Sequence, residues 1–212
     1  MSGARVLSVN RGPEADVLVG SKTGRSGIDK RPASGAVAVE FTGLDGDAYS
    51  ASRSAVGSEQ AVYAYAREDL DWWAGELSRE LRDGMFGENL TTAGLDISAA
   101  LIGETWRAGT VVVQVTGPRM PCATFKSWLD EPQWVRRFGA ARRPGAYLRV
   151  LTPGMVGPGD DLTVLSRPAQ AVTLADSVSA WYGDRELLAR VMTIEGRGAQ
   201  WNEVAARMAA RA

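Results

Sequence analysis

The chain has 212 residues, 45% of them hydrophobic and 23% charged, with a formal net charge of -1. That balance gives no general attraction to nucleic acid or an acidic membrane face, and no apolar run nears the ~20 residues that a membrane-spanning helix needs. Zero histidines and a single cysteine exclude Ser-His-Asp and Cys-His catalysis, His-containing zinc sites and any Cys-x-x-Cys pair, leaving proton chemistry to carboxylates, lysine, tyrosine, the thiol or a cofactor.

The N-terminal "MSGARVLSVN" has no long apolar segment and no small-residue cleavage site, so a cytoplasmic location is expected. Within it, "RVLSVN" is β-prone, and "AVAVEF" alternates Val37, Val39 and Phe41 against small or polar neighbours, predicting a half-buried strand. "GLDGD" (residues 43–47) is a turn signal. In "REDLDWWAGELSREL", Leu70, Trp73, Leu77 and Leu81 recur at helical spacing and predict one buried stripe, with the tryptophans as core. "DGMFGENLTTAG" reads as Gly-rich and irregular. Val111, Val112, Val113 and Val115 predict a buried strand ending just before the cysteine.

"EPQWVRRFGAARR" reads as a short helix, and "GAYLRVLTPG" and "DDLTVL" as two strands. After Pro168 the strand signal fades. Thr173 with Asp176 resembles a capping box, Leu187, Leu188, Val191 and Met192 suit a second helix, and Trp201, Val204 and Met208 a third. The expected architecture is a β-rich α+β body over residues 1–167 with a three-helix module over 168–212.

Several segments invite a chemical reading. "VGSKTG" fails as a phosphate loop because Ser21 separates Gly20 from Lys22 and no helical pattern follows. Lys22, Lys30 and Arg31 share a Gly-containing loop that could grip an anion or simply be solvated. Arg136, Arg137, Arg142, Arg143 and Arg149 alternate with Trp134, Phe138 and Tyr147, yet without a nucleic-acid-binding signature they point to a phosphate-bearing ligand or a solvated face. Asp45 with Asp47, and Asp160 with Asp161, sit in Gly-flanked turns, where aspartate serves the backbone.

Cys122, in "TGPRMPCATF", lies three residues after Arg119 and directly after Pro121, in a loop where Pro118 and Pro121 fix two φ angles. A guanidinium converging on the sulfur favours thiolate over thiol. The residues alone leave functional and packing roles evenly balanced.

Taken with its neighbours, this stretch resembles the MOSC domain, the module named for the molybdenum cofactor sulfurase C-terminus, and within it the bacterial YiiM-type subgroup. The resemblance spans "TGRSGIDKRPASGAVAV", "GLDGD", "QAVYAYAREDLDWW", "GMFGENLTTAGLDIS", "LIGETWRAG", "VTGPRMPC" and "RPGAYLRVLTPGMVGPGDDL". It implies a MOSC β-barrel with inserted helices, followed by a small C-terminal three-helix module. It also implies a molybdenum cofactor (molybdopterin), with Cys122 as the metal ligand and catalytic thiolate, and relatives that reduce N-hydroxylated small molecules with electrons from a partner protein. Arg119 is the supporting catalytic candidate; Lys30, Arg31, Asn89 and Arg149 join Cys122 as cofactor-binding candidates. The implied partners are a small-molecule substrate and an electron-transfer protein, with no nucleic acid and no membrane.

One segment departs from the subgroup. Aligned on "QAVYAY", Ala55 and Val56 stand where it carries histidine and glycine, and Ala51 stands near its acidic residue. Glu59 replaces another acidic member. A different substrate or loss of the reductase chemistry is implied. Two alternatives stay open: a diverged barrel without molybdenum acting on another small molecule, and a non-enzymatic carrier of cofactor or sulfur.

Overall fold

The structure is a computed structural model that describes residues 3–48 and 59–210. Thirteen strands and six helices are described. The strands are β1 (Arg5–Arg11), β2 (Ala15–Val19), β3 (Lys22–Ser26), β4 (Arg31–Pro32), β5 (Val37–Glu40), β6 (Gly43–Leu44), β7 (Val62–Ala66), β8 (Leu90–Ala93), β9 (Thr105–Ala108), β10 (Val111–Pro118), β11 (Ala146–Thr152), β12 (Gly154–Val156) and β13 (Leu162–Ser166). The helices are α1 (Arg67–Leu77), α2 (Ala123–Leu129), α3 (Trp134–Ala141), α4 (Leu174–Tyr182), α5 (Arg185–Met192) and α6 (Gln200–Ala209).

Eight strands form one sheet in the order β13-β9-β10-β11-β7-β8-β1-β4. The sheet curls back on itself. Val6 N donates to Asp160 O at 2.9 Å and Leu162 N to Ala4 O at 2.9 Å, so β1 meets the segment leading into β13. Such closure brings the two ends of this sheet together. The interior follows from strand alternation: Val111, Val113 and Val115 of β10 and Ala146, Leu148 and Val150 of β11 point inward with Val6, Val9, Trp106 and Leu162. Phe41, expected to continue the buried face of Val37 and Val39, lies beyond β5 and is 55% exposed, because the chain turns into β6 there.

Neighbouring strands are antiparallel except β7 and β8, which run parallel with α1 as their crossover. The predicted helix is therefore α1, but it stops at Leu77, where Ser78 adopts a left-handed conformation. Leu81 is buried beyond its end. Trp73 is buried as expected, whereas Trp72 is 38% exposed beneath the Arg143 guanidinium, 4.8 Å from its ring.

A second core lies outside the barrel, under α1, α2 and α3. Phe86 sits at its centre, with ring centroids at 5.1 Å from Tyr65, 5.2 Å from Phe125 and 5.5 Å from Trp134. Edge-on contacts of this kind add about 0.5–1.5 kcal/mol per pair beyond burial. This cluster anchors α2 through Phe125 and Leu129, so it fixes the loop that carries the cysteine.

The C-terminal helices pack on the barrel. Leu174, Ala180, Val191, Trp201 and Val204 belong to the same continuous core as Val115 and Leu148, and Trp201 Nε1 donates to Thr116 O at 3.2 Å. The Thr173 hydroxyl caps α4 by accepting from Asp176 N at 2.9 Å, and Asp184 caps α5 through Leu187 N at 3.0 Å.

Candidate functional site

A cavity of about 310 Å³ opens beside the end of β10. Segments distant in the sequence wall it: Ser26, Gly27, Ile28 and Lys30 at and after the end of β3, Gln60 and Tyr63 at the start of β7, Gly87 and Asn89 before β8, Arg119, Met120, Cys122 and Thr124 after β10, and Tyr147 of β11. Cys122 is exposed at its rim. It is the N-cap residue of α2, in extended conformation, and its side chain makes no capping bond. The thiol is thus displayed on a rigid corner without being spent on the backbone.

Arg119 is 8% exposed. Its Nη1 donates to Phe86 O at 2.6 Å, and its guanidinium lies over the rings of Phe125 at 4.4 Å and Tyr63 at 4.9 Å. Those faces hold a cation in place and attract it. Lys30 is buried, and its Nζ donates to both Asp47 oxygens, at 2.5 and 2.6 Å. Burial pulls the Lys30 ammonium below its ordinary range, and the Asp47 carboxylate opposes that pull. Asn89 ties the same wall together: its Nδ2 donates to Asp47 Oδ2 at 3.0 Å and its Oδ1 accepts from Tyr63 N at 3.1 Å. Burial raises the Tyr63 hydroxyl well above the usual phenol range, so it stays protonated, and it donates to Pro144 O at 3.0 Å.

Of the six residues singled out from the sequence, Cys122, Arg119, Lys30 and Asn89 converge here. Arg31 does not: it points to the surface, where it binds Asp29 at 2.8 and 3.1 Å. Arg149 also stands apart, bonded to Glu59 at 3.3 Å and to the carbonyls of Gly196 and Arg197 at 3.0 and 3.1 Å. Glu59 accepts from Ala199 N as well. It therefore clasps the C-terminal helices, while its neighbour Gln60 faces the cavity. The departures at Ala51, Ala55 and Val56 fall in residues 49–58, outside the described residues. Of the other arginines in residues 136–149, Arg142 pairs with Asp176 at 2.5 Å and Arg143 and Arg137 pair with Asp69 and Glu131, while Arg136 is exposed.

Two acids went unread in the sequence. Asp47, assigned to turn chemistry, is the buried counter-ion of Lys30. Glu88 is fully buried, and its carboxyl accepts from Gly84 N at 2.6 Å, Phe86 N at 2.9 Å and the Thr91 hydroxyl at 3.0 Å. Burial lifts it from 4.5 to about 7, against the pull of those donors. Because the folded chain holds this proton at pH values where the unfolded chain has released it, stability falls as pH rises from about 4.5 to about 7, by up to about 3 kcal/mol. Urea denaturation at about pH 5.5 and pH 8 is expected to show the lower midpoint at the higher pH, with much of that difference gone in Glu88→Gln.

A MOSC domain model matches residues 51–163, just over half of the chain. The chain belongs to the MOSC domain family. Its relatives place this MOSC chain with the YiiM type. The crystal structure of YiiM from Geobacillus stearothermophilus superposes with a TM-score of 0.80 at 27% identity, covering 97% of this chain and 99% of that one. The uncharacterized protein YflK of Bacillus subtilis (strain 168) is 34% identical over 189 residues, 89% of this chain and 86% of that one. A protein named "Reductase" from Gibberella moniliformis (strain M3125 / FGSC 7600) is 32% identical over 171 residues, which is 74% of this chain but 30% of that much longer one.

The donor set around the cavity fits a molybdenum cofactor. Among the described residues no group of three His, Cys, Asp or Glu could hold a metal by itself, so a metal at Cys122 must bring its other ligands with it, as a sulfur-bearing pterin does. A lone soft sulfur donor suits such a centre, and the Arg119 guanidinium on the same cavity suits an anionic ligand, whereas the Lys30 charge is already met by Asp47.

Proposed function

We propose that this MOSC protein is a molybdenum-cofactor-dependent oxidoreductase that reduces N-hydroxylated small molecules. The observation that carries the reading is the convergence of the exposed Cys122 thiol with buried Arg119, Lys30 and Asn89 on one cavity. A relative named as a reductase supports it. The cofactor supplies the two-electron, oxygen-accepting chemistry when bound; the net reaction takes the N-hydroxyl compound, two electrons and two protons to the N–H compound and water.

The chain's own residues do the rest. Cys122 is the protein thiolate that holds the metal. Arg119, fixed between two aromatic faces and the Phe86 carbonyl, steadies anionic groups of the cofactor without having to reorganise. Asn89 and the Lys30–Asp47 pair shape the wall behind it, and Tyr147, packed against Tyr63 at 5.3 Å, completes the lining. The partners of this reading are the small-molecule substrate and a protein that delivers electrons.

The test is metal analysis of the chain produced in a molybdopterin-making host, followed by reduction of an N-hydroxylated purine with a chemical electron donor. Near-stoichiometric molybdenum with turnover is the expected result. Molybdenum-free protein that retains a biological activity would sink the reading in favour of a repurposed barrel.

A further inference from the structure

We infer that Glu88 is a positioning residue for the cleft: through the turn at residues 84–87 it sets where the Arg119 guanidinium and the Gly87 backbone stand. The turn lies between the crossover helix α1 and the parallel strand β8, and its two glycines, Gly84 and Gly87, have φ of +78° and +75°, a region that side chains rarely adopt. A Cβ on Gly84 would meet Lys30 O at 2.5 Å. One on Gly87 would meet Ile28 Cγ1 at 3.1 Å and Arg119 Nη1 at 3.2 Å. The backbone thus lies against two walls of the cavity with no room for a side chain at either glycine.

What holds it there is the Glu88 carboxyl. One oxygen accepts from Gly84 N and the other from Phe86 N. On the far side of the same residue, the Phe86 carbonyl accepts from Arg119. A chain of buried polar groups backs the carboxyl from inside the barrel: Ser8 Oγ donates to Asn10 Oδ1 at 2.7 Å, Asn10 Nδ2 to the Thr91 hydroxyl at 3.0 Å, and that hydroxyl to Glu88. Such a network is rigid when every member is satisfied, and sensitive to the loss of one.

The N–H groups of Gly84, Phe86 and Glu88 itself and the Thr91 hydroxyl face the carboxyl, an arrangement made for the charged form; burial favours the neutral form. The charged and titratable groups in reach are Lys30 in the loop before β4, Arg82 in the loop after α1, and Tyr63 and Tyr65 on β7. Arg119 lies beyond the Phe86 carbonyl. The faces from β1, β8, α2 and α3 are uncharged at Ser8, Asn10, Thr91, Phe125, Trp134 and Phe138. A change of charge on Glu88 alters the hold on Phe86 N, and with it the carbonyl that Arg119 grips.

The assignment matters because the cleft is the working site, so it rests on the reading above. Its test requires neither molybdenum nor turnover, which keeps the two failures apart. The Nε–H resonance of Arg119 is followed by NMR in the full chain labelled at arginine, assigned with Arg119→Lys, across neutral pH. In the wild type it is expected to shift with a midpoint near 7. In Glu88→Gln the amide NH2 cannot accept from Phe86 N, so the resonance is displaced and this titration vanishes, while Lys30 and Tyr63 keep theirs. In Thr91→Val, which removes one donor to the carboxylate, the midpoint rises by about half to one pH unit. A wild-type resonance that does not titrate, or one that still titrates in Glu88→Gln, overturns the assignment. If Glu88→Gln does not fold, an unmoved midpoint in Thr91→Val overturns it alone.

Discussion

Cys122→Ser is expected to keep the fold and lose the molybdenum. The serine oxygen is a hard donor that stays protonated at neutral pH, so it offers no thiolate to a soft centre, and molybdenum content is expected to fall at least 10-fold, with turnover falling alongside. Stability should not fall, because Cys122 is exposed and its side chain makes no capping bond. Serine is among the best N-cap residues, and at the head of α2 its hydroxyl can accept from a free backbone N–H; a gain of about 0.5–1 kcal/mol is expected. The pairing of an equal or higher melting temperature with lost metal is what makes the result decisive. Molybdenum retained at wild-type stoichiometry would show that the thiolate is not the protein's ligand.

The second large effect is on stability. Asp47→Asn leaves the Lys30 ammonium without its counter-charge at a position where the two side chains are 5% and 1% exposed. Removing one partner of a buried pair costs about 3–5 kcal/mol, because the remaining charge has lost its water and its neighbour together. The new amide also turns its NH2 toward one of the two groups that donated to the carboxylate, Gly12 N at 3.1 Å or Asn89 Nδ2 at 3.0 Å. The damage should shrink as pH rises, since burial already pulls the Lys30 proton off below its ordinary range. Combining Asp47→Asn with Lys30→Met should recover a large part of the loss, as expected of two residues that act through one contact. A loss below about 1 kcal/mol for Asp47→Asn in urea titration would contradict the burial of the pair.

How much of this was legible depended on how local each signal is. The valine run of β10 and the alternation of β5 announced strands because β-branched residues at period two have few other uses. β8 was hidden in "GENLTTAG": the strand is short, and Leu90, Thr91 and Thr92 are buried between β7 and β1, so no polar alternation marks it. β3 read as a loop because Lys22–Ser26 is polar; what fixes it is tertiary, its pairing with Ala15–Val19, whose Val17 packs against the aromatic cluster. α2, seven residues after a proline-rich turn, lies below what periodicity can detect.

At the site, motif-bearing residues were legible and tertiary partners were not. Lys30 and Arg31 are adjacent and alike in charge, yet in an extended segment neighbours face opposite ways, and one reaches the cleft while the other reaches Asp29. Asp47 meets Lys30 from 17 positions away and Asn89 from 42. No spacing rule reaches across such gaps. Arg149 looked equivalent to Arg119 by type and is instead the staple between barrel and C-terminal helices.

The dispersal of the cavity walls has a thermodynamic side. Ile28, Tyr63, Asn89, Cys122 and Tyr147 come from across most of the chain, so an unfolded or half-folded molecule presents none of the cleft. Whatever binds there binds the native state alone. By mass action it then stabilises the fold by RT ln(1 + [L]/Kd), about 2.7 kcal/mol at a hundredfold excess over Kd. Occupancy of the cleft and lifetime of the protein are therefore coupled, and a shortage of ligand would be felt first as turnover of the chain itself.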